Sequence, residues 1–279
     1  MGFSVRGCDV LVTGAAMGMG RLFALRAAKE GARSVILWDI DSAKLAIVAE
    51  EIRALAVIAK PMQVDVSDAD AVANAARSVL DECGGLDFLI NNAGVVRGKP
   101  FWEHDVDADI KFTMNINAVA PMVITRQFIR AMMAQDGKSR RILNIASAAA
   151  TVSNPRMSVY ASSKWAVLGW SDSLRLELEQ VGDSLLKVTT FCPTYVGTGM
   201  FAGARGPLLT PIITPEAAVD AAWRAMIAGK PIKYMPWTTT LGTVLKGLLP
   251  VRAWDFVAGR VFGVYRSMDH FTGRADPPD

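Results

Sequence analysis

Thr13-Gly14-Ala15-Ala16-Met17-Gly18-Met19-Gly20 follows the apolar run Val10-Leu11-Val12 and leads into a helical pattern that begins at Arg21. Glycines at this spacing, where a strand turns into a helix, let the backbone come close to a pyrophosphate. The helix N-terminus beyond them supplies N–H groups and the positive end of a dipole. By itself a glycine-spaced turn is a weak signal, because ordinary turns use the same residues. Its context strengthens it. Asp39 ends the next apolar run, 19 residues after Gly20, where an acid can accept hydrogen bonds from an adenosine ribose. Asp41 and Ser42 are better placed than Asp39 to cap the helix that follows. The Asp39 carboxylate would repel a 2′-phosphate, and neither Met17 nor Ile40 supplies the cation that NADP wants. The cofactor is therefore read as NAD in preference to NADP, with Arg21 and Arg33 the nearest cations.

Outward from this turn, short β-branched runs alternate with longer helical patterns. Residues 10–13, 34–39, 62–66, 86–91, 142–147 and 187–192 read as buried strands, and 21–30, 42–56, 69–83, 106–134 and 158–180 as helices. Such alternation implies a parallel sheet covered on both faces, since each crossover must pack back onto the sheet. The expected class is α/β: a Rossmann-type doubly wound parallel sheet in a single domain over residues 1–235, with a helical C-terminal extension over 236–279. Residues 194–215 mix glycine and proline with Met200, Phe201, Leu208, Leu209, Ile212 and Ile213, which suggests a mobile substrate loop over an apolar site. A short helix at 215–229 and a last strand near 232–235 follow. The tail reads as two short helices broken at Pro250.

Composition bounds the function. The chain has 279 residues, 51% of them hydrophobic and 20% charged, which excludes disorder. Its mean hydropathy is +0.26. A net charge of +3 argues against nucleic-acid binding. The surplus sits in residues 230–279, which carry seven Lys/Arg against four Asp/Glu. Cys8, Cys83 and Cys192 have no paired spacing, and His104 and His270 are isolated, so no disulfide framework and no metal site is expected. No targeting signal or membrane-spanning run is evident, so the expectation is a cytoplasmic protein, at most peripheral to a membrane.

Tyr160-Ala161-Ser162-Ser163-Lys164 puts a phenol and an ammonium four residues apart on one helix face. A tyrosine with a pKa of about 10 is a poor base near neutrality, but a neighbouring cation favours phenolate. A lone Tyr-x-x-x-Lys pair usually carries no chemistry. Here Ser147 ends a strand 13 residues upstream, and Asn117 lies on the long helix before that strand.

Together these residues resemble the short-chain dehydrogenases/reductases, over about residues 6–235. The turn from Thr13 to Gly20 is similar to the family's Thr-Gly-x-x-x-Gly-x-Gly, with Gly14, Ala16, Met17, Gly18, Met19 and Gly20 against the cofactor. Asp65-Val66 resembles the adenine-contacting pair, and Asn91-Asn92-Ala93-Gly94 the Asn-Asn-Ala-Gly element. Asn117, counted along Met114-Asn115-Ile116-Asn117, corresponds to the catalytic asparagine, and Ser147, Tyr160 and Lys164 complete the tetrad. Pro193-Thr194-Tyr195-Val196-Gly197-Thr198 resembles the segment that meets the nicotinamide, with Val196 and Thr198 in place and Thr194 where glycine is usual. The resemblance implies an oxidoreductase in which Tyr160 exchanges the hydroxyl proton and Ser147 holds the substrate oxygen. It also implies that Lys164 lowers the phenol pKa and binds the nicotinamide ribose, and that Asn117 holds a water that relays the proton.

No carboxylate or phosphate clamp stands near the expected mouth; Arg97, Lys99 and Arg205 are candidates, but lone arginines near loops are usually solvated. Apolar residues dominate: Val95, Val96, Phe101, Val152, Tyr195, Met200 and Phe201. Such a pocket suits a bulky hydrophobic alcohol or ketone. The segments Thr198-Gly199-Met200-Phe201, Met235-Pro236-Trp237, 245–250 and 267–274 resemble the branch of retinol dehydrogenases, retinal reductases and hydroxysteroid dehydrogenases. A homodimer or homotetramer is implied. The apolar tail is expected to pack on the substrate lobe or a second subunit, with peripheral membrane contact as the alternative. Two other functional readings stay open: an NADP-dependent carbonyl reductase of the same fold, and a non-catalytic NAD-binding scaffold, which an intact tetrad disfavours.

Overall fold

Val10 and Val12 pack into one buried apolar cluster with Val35, Leu37 and Ile90, while Leu11 packs into a second with Ile36, Trp38 and Leu89. Alternate residues of a strand point to opposite faces, so apolar side chains in both sets mean a sheet covered on both sides. Each such side chain taken out of water contributes roughly 1.5–3 kcal/mol.

The structure is a computed structural model that describes residues 4–133 and 136–273. Seven strands, β1 (Asp9–Thr13), β2 (Ser34–Asp39), β3 (Ile58–Gln63), β4 (Phe88–Asn91), β5 (Arg140–Ile145), β6 (Leu186–Pro193) and β7 (Ile232–Met235), form one parallel sheet. Their order is β3-β2-β1-β4-β5-β6-β7. Connections turn one way from β1 and the other way from β4, so a crevice opens between the carboxyl ends of these two strands. The expected Rossmann-type architecture is the observed one.

Local sequence explains most boundaries. Asp68 caps α3 (Ala69–Cys83) by accepting from the Asp70 and Ala71 N–H groups, and Gly84 ends it in the left-handed region at φ 69°. Val72, Ala75, Ala76 and Val79 form its buried stripe. Asp41 caps α2 (Ser42–Arg53), which leaves Asp39 without a capping role. The expected strand at 62–66 lies instead at Ile58–Gln63. Pro61 reads as a breaker, yet β3 is the sheet edge, where a missing N–H is tolerated.

The expected single helix over 106–134 is a mixed run, and residue 134 lies outside the described residues. π-helical Val106–Lys111, α4 (Phe112–Met114), π-helical Asn115–Val119 and α5 (Ala120–Met132) follow one another. Pro121 has no N–H, so the ordinary α-helical bond to the Asn117 carbonyl cannot form, and the widened turn sits at that point.

Beyond β6 the chain forms the loop 194–214, α7 (Pro215–Ile227), β7, α8 (Trp237–Leu248) and α9 (Val251–Phe256), with Pro250 as the N-cap of α9. Backbone bonds lace the loop to the tail: Arg205 N to Ser267 O at 2.8 Å, Leu208 N to Phe262 O at 2.8 Å and Thr272 N to Ala202 O at 3.0 Å. Arg274, the last residue of the tail segment noted in the sequence, lies outside the described residues. Trp237, Val244 and Leu248 leave an apolar face of α8 exposed. Among the described residues no helix is long and apolar enough to cross a membrane.

Candidate active site

Gly14 takes φ +64°, and a Cβ there would meet Ala93 Cα at 2.9 Å. A Cβ on Gly20 would lie 1.9 Å from the Gly14 carbonyl oxygen, so the turn closes only with glycine at both positions. Thr13 and Asn92 hold this turn against the end of β4. The Thr13 hydroxyl accepts from the Asn92 and Ala93 N–H groups, both at 3.0 Å, and the Asn92 amide donates to the carbonyls of Thr13 and Gly14. Asn92 thus acts on the turn itself, and Thr13, which no spacing in the sequence singles out, fixes the turn from the end of β1.

Met17 is the N-cap of α1 (Gly18–Lys29) and makes no side-chain cap bond. Thr198 closes over this end: a Cβ on Gly18 would meet its methyl group at 3.4 Å. Asp39 reaches from β2 to accept from Ala16 N–H at 3.0 Å and from Asp41 N–H at 3.1 Å. Asp65 accepts from the Ser67 N–H and hydroxyl just after β3, beside buried Val66. A glycine turn, an uncapped helix N-terminus and an acid at the next strand end fit the pyrophosphate and ribose of a dinucleotide. Arg21 pairs with Glu51 at 2.7 Å, and Arg33 pairs with Asp9.

The four residues expected to carry chemistry meet at the carboxyl ends of β4, β5 and β6. Asn117 sits in the widened turn, accepts from Val95 N–H at 2.8 Å, and donates to Val95 O at 2.9 Å and the Ser163 hydroxyl at 3.1 Å. Both of its amide hydrogens are used, tying Val95 to α6 (Ser158–Gln180). A Cβ on Gly94 would meet Asn117 Oδ1 at 3.3 Å and Lys164 Nζ at 3.6 Å, so the three are neighbours. Lys164 Nζ donates to Ile145 O at 2.9 Å and stands 5.8 Å from the Tyr160 ring centroid. Ser147 lies just past β5 as the N-cap of the short turn Ala148–Ala150; its Oγ accepts from Ala149 N–H at 3.1 Å and lies 3.5 Å from the Pro193 carbonyl.

Burial governs the electrostatics. It pulls the Lys164 ammonium down to about 8. It pushes the Tyr160 phenol above its ordinary value, with a hydrogen bond to Ser147 acting the other way. The expectation that Lys164 lowers the phenol pKa is therefore corrected for this arrangement. Loss of water is the largest cause of that upward shift.

Tyr160 lies in a buried cluster with Met157, Ala204 and Met268, against which Tyr195, Phe201 and Phe271 pack. Phe201 from the loop and Met268 from the tail thus roof the phenol. Ser147 lines a largely apolar cavity continued by Val152, Tyr195, Phe201, Leu241 and Trp254. Of the apolar residues expected there, Val152, Tyr195 and Phe201 line it, whereas Val95, Val96, Phe101 and Met200 do not. Arg97 and Lys99 are not a substrate clamp: they face buried Asp109 at 3.8 Å and 2.5 Å.

Two polar groupings join residues whose pairing no local pattern announces. Asn91 donates to Asn144 at 2.8 Å and to Thr125 at 3.1 Å, and Asn144 donates to Ser171 at 2.8 Å, a buried ladder beneath the site. Asn154 donates to Tyr195 Oη at 3.1 Å and to Ser267 Oγ at 2.7 Å, joining the tail to the loop.

The family model for short chain dehydrogenases matches residues 9–207. Estradiol 17-beta-dehydrogenase 11 of Rattus norvegicus is 32% identical over 258 residues, covering 92% of this chain and 85% of that protein. Epidermal retinol dehydrogenase 2 of Mus musculus is 33% identical over 278 residues, covering 97% and 87%. Among solved structures, a short chain dehydrogenase from Burkholderia cenocepacia in complex with NADP superposes with a TM-score of 0.72 at 28% identity, covering 85% of this chain and 99% of that one. A short chain dehydrogenase/reductase from Burkholderia phymatum in complex with NAD shares the fold, with a TM-score of 0.77 at 24% identity over 99% of both chains.

Proposed function

This chain belongs to the short chain dehydrogenase family, an NAD(P)-dependent oxidoreductase group acting on alcohols, and from that premise we propose that it interconverts a bulky apolar alcohol and its carbonyl with NAD. The observation that carries the substrate reading is the apolar cavity lined by Ser147 and by Phe201, whose ring packs on Tyr160. Apolar walls bind by releasing water from substrate surface, and a dry site strengthens each polar contact within it.

Gly14, Ala16, Met17, Gly18, Met19 and Gly20 would hold the pyrophosphate, Asp39 the adenosine ribose, and Asp65 and Val66 the adenine. Asn92, Ala93, Gly94, Val196 and Thr198 would line the nicotinamide half, with Tyr160 and Lys164 reaching its ribose. When bound, the nicotinamide supplies or accepts the hydride. Tyr160 takes the substrate hydroxyl proton in oxidation and returns it in reduction. Ser147 donates to the substrate oxygen and holds it by the phenol. Lys164 spends one N–H on Ile145 and keeps two donors and its charge for the site, which favours phenolate whenever the amine is protonated. Because the Asn117 side chain is committed and Pro121 removes the usual helical donor, the Asn117 carbonyl is the group that would hold a proton-relay water.

NAD is favoured because Asp39 stands at the glycine turn while Arg21 and Arg33 are each engaged by a carboxylate. The test is a panel of large primary and secondary alcohols assayed for reduced-cofactor absorbance with each cofactor. Turnover with NAD is expected; no turnover of any member with either cofactor overturns the reading.

A further inference from the structure

Ser267 begins the tail segment 267–274, to which the functional reading above gives no role. It is 3% exposed and lines the apolar cavity together with Asn154, Tyr195 and Phe201. Its hydroxyl has one proton, and that proton goes to the Val264 carbonyl at 2.7 Å. Ser267 Oγ is therefore the acceptor in its two other bonds, from the Asn154 amide at 2.7 Å and from the Tyr195 phenol at 2.8 Å. Asn154 also donates to Tyr195 Oη at 3.1 Å, which closes a triangle of three side chains. The main chain uses the same residue, since Ser267 O accepts from Arg205 N at 2.8 Å. One tail residue thus holds both the phenol end of Tyr195 and the loop at Arg205.

What is held matters for the chemistry. The Tyr195 ring packs on Phe201, and Phe201 packs edge-on against the Tyr160 ring. A phenylalanine side chain has no polar atom to anchor it, so Phe201 takes its place from its neighbours and from the loop backbone. The tail grips that backbone on the far side of Phe201 as well: the Thr272 and Gly273 N–H groups both go to Ala202 O, at 3.0 Å and 3.2 Å. It also reaches the segment after β4, where a Cβ on Gly98 would lie 2.6 Å from the Phe271 ring and 3.1 Å from Met268 Cε. The groups with charge or protons that act on the Tyr160 phenol are Ser147, Lys164, Tyr195 and Cys192, and Ser267 touches only Tyr195 among them.

We propose that Ser267 is a positioning residue for proton exchange at Tyr160: by fixing Tyr195 and the 202–205 turn, it sets the Phe201 ring over the phenol and keeps that corner of the site dry. It acts through Tyr195 and Phe201, and it brings into the reaction a part of the chain that lies beyond residues 9–207, the stretch the family model matches. The inference rests on the dehydrogenase reading above and adds a residue to it.

The test follows kcat and KM against pH in the full chain, with NAD and the member of the alcohol panel that the parent oxidises fastest. Ser267→Ala removes the acceptor, and Tyr195→Phe removes the same bond from its other end while keeping a ring against Phe201. Each is expected to move the ascending limb of kcat/KM to lower pH by about half a unit or more, because water reaches the phenol. In the plateau kcat should fall about five- to tenfold, the worth of one such bond, with KM held within about threefold. The double variant should shift the limb no further than either single one, since the two share one interaction. Limbs that stay in place in both single variants overturn the proposal, and a lower Tm alongside them assigns the triangle to folding alone. Shifts that add in the double variant overturn it too, because the effect then does not pass through the shared bond. Should Ser267→Ala fail to fold, Tyr195→Phe decides by the same limb. Turnover by the parent with unmoved limbs sinks the positioning role alone, whereas a parent that oxidises no alcohol with either cofactor sinks the dehydrogenase reading and this role with it.

Discussion

The Phe201 ring meets the Tyr160 phenol edge-on, with centroids 5.7 Å apart and planes at 85°. Tyr195 also packs on Phe201, with centroids 5.3 Å apart, so one loop residue bridges Tyr160 and the cavity wall. Aromatic cover of this kind keeps water from the phenol, and exclusion of water is what raises its pKa.

Phe201→Ala should admit water to Tyr160 and return its pKa toward the ordinary value. Because the raised value delays phenolate formation, removing the cover moves the ascending limb of the oxidation profile to lower pH. The pH dependence of kcat/KM for a bulky alcohol measures this, with a loss of about tenfold in the plateau from the missing apolar contact. An unmoved limb would separate Phe201 from the phenol's environment.

Tyr160→Phe keeps the ring and its packing but removes the phenol oxygen. Turnover should fall by about 10²–10⁴-fold while Kd for NAD stays within about threefold. Comparable turnover in this variant removes Tyr160 from the chemistry.

Asp39→Ala deletes the carboxylate that accepts from Ala16 and would accept from the ribose. The ratio of NADP to NAD dissociation constants should shrink by about tenfold or more, since a repulsive charge leaves together with a hydrogen-bond acceptor. Titration of each cofactor followed by fluorescence reads the ratio. Tighter NADP binding by the parent chain would reverse the cofactor assignment.

Lys164→Met tests the buried amine through stability. Burial lowers the folded-state pKa from 10.5 to about 8, so between these values the unfolded chain binds more protons and stability rises with pH. Below about 8 the penalty for burying the ammonium is fully present. The methionine variant should therefore be more stable than the parent near neutrality, by up to about 3 kcal/mol, and lose that advantage as pH climbs toward 10. Urea unfolding at several pH values checks it; a difference between the two chains that does not vary with pH contradicts a depressed Lys164.

How far the sequence could be read depended on the distance over which each feature is decided. The α3 bounds Ala69–Cys83 and the α6 bounds Ser158–Gln180 follow from caps, periodicity and local spacing, and both are found where the sequence puts them. The expected strand over 62–66 failed because Pro61 breaks a central strand but not an edge strand, and edge position depends on the whole sheet. The Asn154–Ser267 bond joins residues 113 apart in sequence, and no local pattern announces such a partner.

By itself the sequence determined the order of strands and helices, the glycine turn with its acid at Asp39, and the i, i+4 placement of Tyr160 and Lys164. All of these depend on torsion preferences and spacing within a few residues. Only the tertiary structure decided that Phe201 and Met268 roof the phenol, that Arg21 and Arg33 are spent on carboxylates, and that Ser267 holds the Tyr195 hydroxyl. Burial and pairing of this kind are set by which distant segments pack together, and desolvation there reversed the direction expected for the Tyr160 pKa.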